Sequence, residues 1–181
     1  MTNLVNDIPI GVDSPLRVNA VVEVEKDSNS KYEYVEELNI FKLSRCLYSS
    51  MRYTCSYGFI PQTYALDDDP LDVLIYNNVP LRTSTLVDVT PIGVLDMDDT
   101  GKKDYKVVGV PVSHIKNYKS LKDLDPHWLA TTLQFFTHYK DLEVNKTAIV
   151  NGWLGKSQTK KIIIEANKRW KKKLSSQMSD L

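Results

Sequence analysis

Apolar residues in this chain gather in short β-branched runs through its first two thirds and fall into helical stripes only near the end. Val18 to Val24, Leu86 to Leu95 and Lys106 to Val112 are β-branched runs bounded by turn-forming or charged residues, and each predicts a strand. Ile60 and Val73-Leu74-Ile75-Tyr76 are strand-like as well. Lys31 to Phe41 predicts an extended hairpin turning at Leu38-Asn39, and Asp99-Thr100-Gly101-Lys102 predicts a loop. Asp125-Pro126 is an N-cap and first-turn pair, after which Leu129, Leu133, Phe136 and Lys140 recur at helical spacing. A second helix is expected from about Thr159 to Leu174, with Ile163, Ala166, Trp170 and Leu174 on one stripe. With no internal repeat and no low-complexity linker, residues 1–181 are expected to form a single domain, a β body with C-terminal helices.

Composition changes this picture mainly by where it puts charge. Basic and acidic residues balance at 23 each, so no global field points to nucleic acid. Acids nevertheless crowd between Asp67 and Asp104, whereas bases crowd between Lys160 and Lys173, where they read as a solvated helix face. Residues 1 to 20 lack a basic start followed by an apolar run, and no stretch approaches spanning length, so a cytoplasmic protein without a membrane partner is expected. Cys46 and Cys55 suggest neither a disulfide framework nor a metal pair, and His114, His127 and His138 show no ligand spacing. Trp128 and Trp153 read as packing or interface residues.

The candidate chemistry starts with Asp67-Asp68-Asp69-Pro70-Leu71-Asp72, four carboxylates within six residues beside an apolar strand. Neighbouring anions raise one another's pKa and need cations or full solvation, and hard divalent ions are their natural partners. A second acidic group, Asp96, Asp98, Asp99 and Asp104, flanks a loop and could converge on the first. Competing motifs fail on particular residues. An EF-hand counted from Asp67 needs glycine at its sixth position and finds Asp72. A phosphate loop ending at Gly155-Lys156-Ser157 needs glycine where Val150 stands. A nucleotide-sugar transferase would need a glycine-rich fingerprint that the sequence lacks.

The run Tyr53-Thr54-Cys55-Ser56-Tyr57-Gly58-Phe59-Ile60-Pro61 leading into the acidic hexapeptide resembles the signature region of soluble family I inorganic pyrophosphatases. Glu23, Lys31-Tyr32-Glu33 and Arg45 lie upstream at family-like intervals. Downstream follow Gly93-Val94-Leu95, Asp99, Asp104-Tyr105-Lys106, Val110-Pro111 and Phe135-Phe136-Thr137-His138-Tyr139-Lys140-Asp141-Leu142-Glu143. These matches run in order from about residue 18 to 155.

The resemblance implies an α+β, mainly β fold: an OB-like, five-stranded closed β-barrel flanked by C-terminal α-helices. It implies hydrolysis of pyrophosphate to two phosphates by a metal-activated water, with Mg2+ as cofactor and Mn2+ or Zn2+ as substitutes. The family's metal ligands fall on Asp67, Asp72, Asp99 and Asp104, and its proton acceptor on Asp69. Substrate contacts fall on Lys31, Arg45, Tyr57, Lys106, Tyr139 and Lys140, with Glu23, Glu33 and Tyr53 supporting them. Short members of the family are usually homo-oligomers, so a hexamer is expected.

Departures from the family pattern are Asp68 where glycine is common, Thr100 for glutamate, Thr54 for proline and Ser44 for aspartate. None removes a residue assigned to chemistry. The alternative is a catalytically silent pyrophosphate or metal binding module on the same fold. A nucleotide hydrolase is disfavoured because no base or ribose site can be read.

Overall fold

A computed structural model describes residues 2–179. Among the described residues are nine strands and two long helices; eight strands come first, as expected, but the ninth falls between the two helices, where no strand was expected. They are β1 (Val18–Val24), β2 (Ser30–Val35), β3 (Ile40–Cys46), β4 (Ser56–Ile60), β5 (Leu71–Ile75), β6 (Leu86–Asp99), β7 (Lys102–Lys103), β8 (Lys106–Pro111), α1 (Pro126–His138), β9 (Ala148–Leu154) and α2 (Lys156–Ser179). Pairing runs β1 to β4 to β5 to β8 to β6 and returns from β6 to β1. The ring of five strands is therefore closed, as the OB-like barrel requires, and closure removes the unpaired edges that an open sheet would expose. Among the described residues only β5 and β8 run parallel, and residues 76–105 make the long crossover between them.

Strand β6 is long because it serves several partners. Its first residues pair with β1, its middle with β8, and its end with β9 and β7, with a register shift between Pro91 and Gly93. Proline at that irregularity costs little, since the ladder is already interrupted there. Gly58 allows β4 to lie against β1: a Cβ at this position would fall 1.9 Å from the Val21 carbonyl oxygen.

Period-two alternation decides which side chains meet. Leu71, Val73 and Ile75 join Val107 in a core closed by Ile163 and Ala166 of α2. Leu74 and Val108 face the other way, into a second core completed by Phe135, Phe136 and Tyr139 of the α1 segment. Asp72 and Lys106 are register partners on that second face, so alternation sends a carboxylate and an ammonium to the same place.

Differences from the sequence reading are local. The hairpin pairs as far as Cys46, with Asn39 at φ 54° in its turn. The first helix ends at His138, leaving Lys140 in the following turn rather than on the helical stripe. Asp125 caps that helix by accepting from His127 N at 2.9 Å. In α2, Ile163 and Ala166 are fully buried, but Leu174 is exposed and Trp170 turns its ring N–H to Asn6 Oδ1 at 2.8 Å. Trp128 and Trp153 stack on each other as packing residues.

Candidate active site

One cavity of about 410 Å3 opens between the strand ring, the β2–β3 hairpin and the end of α1. Each wall has a sequence reason. Strand β5 presents Asp72, strand β8 presents Lys106, and strand β4 presents Tyr57 opposite Leu74. The acidic turn before β5 adds Asp67 and Asp69, and the β6–β7 hairpin adds Asp99 with Asp104 just beyond it. Lys31 and Glu33 come from β2, Glu23 from β1, and Tyr139 from the turn that ends α1.

Twelve of the fourteen residues nominated from sequence line this cavity; Arg45 and Lys140 do not. Arg45 faces Lys31 across the hairpin, and its Nε lies 3.0 Å from Glu143 Oε1, an ion pair without hydrogen-bond alignment. Lys140 is buried and bonded to Asp99. Glu143 received no role in the sequence reading. Its signal was present, because it closes the matched run that begins at Phe135, but its contact with Arg45 spans nearly the whole sequence of the site.

Ion pairs organise the floor. Lys106 Nζ donates to Asp72 Oδ2 at 2.6 Å and to both Asp104 oxygens at 2.9 Å, with the Tyr57 and Phe136 rings about it. Burial works against this ammonium, yet Asp104 and Asp72 outweigh it and hold its pKa well above the ordinary lysine value. Lys31 Nζ donates to Glu33 Oε1 at 2.6 Å. Burial drives Asp67 up to about 6, aided by repulsion from Asp104, and it raises Asp69 and Asp104 too. Tyr57 and Tyr139 are pushed well above the phenol range by burial, so both remain proton donors at neutral pH.

Nine carboxylates and two lysines line the cavity, an excess of negative charge that a desolvated pocket does not tolerate unaided. The donors are carboxylate and phenol oxygens, the chemistry of hard divalent cations. Among the described residues no three carboxylates close on one point as a shell. Magnesium suits such a set, because it retains several waters and needs few carboxylates from the protein.

Glu23 is the most displaced acid. Its Oε1 accepts from Tyr34 N at 2.9 Å, but burial lifts its pKa to about 8. A raised carboxyl pKa favours folding below the unfolded value of 4.5, and that contribution is lost as pH rises towards 8. Glu23→Gln is therefore expected to match the parent's stability in chelator at pH 5 and to exceed it progressively up to pH 8.5, by an order of a few kcal/mol at most. Urea denaturation across that range checks it; a gap independent of pH would refute the assignment.

The family model described as inorganic pyrophosphatase matches residues 20–171. The chain is 40% identical over 165 residues to the inorganic pyrophosphatase of Saccharolobus solfataricus, covering 89% of this chain and 96% of the relative. It is 38% identical to that of Xanthomonas campestris, covering 88% and 93%. Among solved structures, the inorganic pyrophosphatase of Thermus thermophilus superposes with a TM-score of 0.90 at 34% identity, over 94% of this chain and 99% of the other. With the matched residues spanning nearly the whole strand ring and every carboxylate of the cavity, the chain belongs to the inorganic pyrophosphatase family.

Proposed function

We propose that this chain hydrolyses inorganic pyrophosphate to two phosphates with magnesium in the acidic cavity, manganese or zinc being able to substitute. The observation that carries the metal assignment is the charge of the cavity itself. A highly anionic substrate cannot enter a pocket lined by nine carboxylates unless cations bridge the two. Asp67, Asp72, Asp99 and Asp104 would hold the ions, which when bound neutralise phosphate charge and lower the pKa of water.

The remaining steps fall to side chains. Asp69 accepts the proton of the attacking water; burial, by raising its pKa, brings it nearer the range where a base works at neutral pH. Lys31 and Lys106 supply point charges to phosphate oxygens, and Tyr57 and Tyr139 supply neutral hydroxyl donors. Arg45 contributes its planar fork once it leaves Glu143, and Lys140 acts from behind Asp99. Glu23, Glu33 and Tyr53 orient these groups. Attack in line on one phosphorus then breaks the bridging P–O bond, and the leaving phosphate departs against the basic side chains.

The chain works as one domain in a homo-oligomer, a hexamer by family habit, in the cytoplasm and without nucleic acid or membrane partners. Among the described residues no helix is long and apolar enough to cross a membrane. The test is phosphate release from pyrophosphate with magnesium, with chelator, and with ATP in place of pyrophosphate. Metal-dependent release from pyrophosphate is expected, with ATP a poor substrate; folded protein that binds pyrophosphate without turnover would establish the silent module instead.

A further inference from the structure

Asp68 is the one member of the acidic hexapeptide's four carboxylates that does not line the cavity. It sits at φ 81°, a left-handed conformation that glycine adopts freely and aspartate at a modest cost. The side chain points outward and is held twice: Tyr64 Oη donates to Oδ1 at 3.2 Å, and Lys102 Nζ donates to Oδ2 at 2.7 Å. The same ammonium also reaches the Asp67 carbonyl oxygen at 3.3 Å. Lys102 belongs to β7, in the hairpin that carries Asp99 on one side and Asp104 on the other. Two loops that bring their carboxylates to the cavity from opposite directions are thus tied on its outer rim.

We infer that Asp68 and Lys102 form a latch that sets the distance between the Asp67–Asp72 turn and the Asp99–Asp104 hairpin, making both positioning residues for the divalent cations. This rests on the metal reading above. An exposed pair contributes little to global stability, so a role in folding is a weak reason for the arrangement. Geometry is a better one. Carboxylates from two separate loops bind a small cation well only when the loops are preorganised, because magnesium demands near-ideal octahedral placement of its ligands. The left-handed backbone at Asp68 turns the Asp67 and Asp69 side chains inward while sending its own out to Lys102.

A simple field effect makes the opposite prediction for one partner, which allows a clean test. If Asp68 and Lys102 acted only through their charges, Asp68→Gly would weaken magnesium binding and Lys102→Met would tighten it. The latch predicts that both weaken it, by about three- to tenfold in Kd, with the double variant less than additive. Kd is read by calorimetry of magnesium into metal-stripped protein without pyrophosphate. Amide hydrogen exchange of residues 100–104 in the metal-free protein gives a second readout: it should quicken in Lys102→Met while the melting transition barely moves. Unchanged or tighter magnesium binding by Lys102→Met would overturn the latch, and so would unchanged exchange. Parent protein that takes up no magnesium would overturn the metal reading, and the exchange measurement would then decide the latch by itself.

Discussion

Asp69→Asn is expected to lower kcat by about 10²- to 10⁴-fold, the usual range for removing a positioned general base, with KM changed by no more than about threefold. The substitution keeps size and one acceptor oxygen but cannot take a proton from water. Asp69 suits the role through its surroundings. It lines the cavity between Asp67 and Asp72, burial lifts its pKa, and among the described residues no lysine is bonded to it, in contrast to Asp72, Asp99 and Asp104. A carboxylate already neutralised by an ammonium makes a poor base. Steady-state kinetics at saturating magnesium checks this, and an equal loss in binding and turnover would make Asp69 a metal ligand instead. Acid should expose the neighbouring residue: with Asp67 raised to about 6, protons compete with metal there, and the magnesium needed for half-maximal rate should climb as pH falls through that value.

How much of this was readable in advance depended on how local each signal is. Strands β5 and β8 are near-continuous apolar runs buried on both faces, so the strands could be read from composition, whereas only strand geometry sets Leu71, Val73 and Ile75 on one face and Asp72 with Leu74 on the other. The sequence Ala148–Leu154 offers less: none of its residues is fully buried, Gly152 bends it at φ 120°, and its partner is the far end of a strand fifty residues earlier. Strand β3 is harder to read for a related reason, since most of its residues face solvent and it pairs only within the hairpin, with Phe41 packed on Tyr34 and Arg45 reaching Glu143. Within the site, residue types pointed to metal and phosphate, but side-chain direction did not follow. Asp67, Asp68 and Asp69 are indistinguishable as letters, and only the positive φ at the middle one sends it away from the cavity. Helical spacing likewise carried the helix two residues too far, to Lys140, because the cap at Tyr139 depends on the backbone bond to Phe135 rather than on any terminating residue.

Lys106→Met should produce the largest stability loss in the metal-free protein, roughly 3–5 kcal/mol, the usual cost of stripping one partner from a buried ion pair. Lys106 is 2% exposed and is the cation shared by Asp72 and Asp104, so its removal leaves two carboxylates facing each other in a buried pocket. Methionine fills much of the stem's volume and stays against the Tyr57 and Phe136 rings, which confines the change to charge. The penalty should shrink in acid, because protonating one carboxylate relieves the repulsion, and should grow as pH rises above the ordinary aspartate range. Lys106 itself adds no such slope in the parent: with its pKa raised above the lysine value, its contribution is full at every pH below about 10. Magnesium should stabilise the variant more than the parent, since a bound cation replaces the lost ammonium beside Asp72 and Asp104. Urea denaturation at pH 5 and pH 8, with chelator and with magnesium, separates these contributions. A variant as stable as the parent in chelator, or equal stabilisation of both proteins by magnesium, would mean that Lys106 does not hold the place where the cation binds.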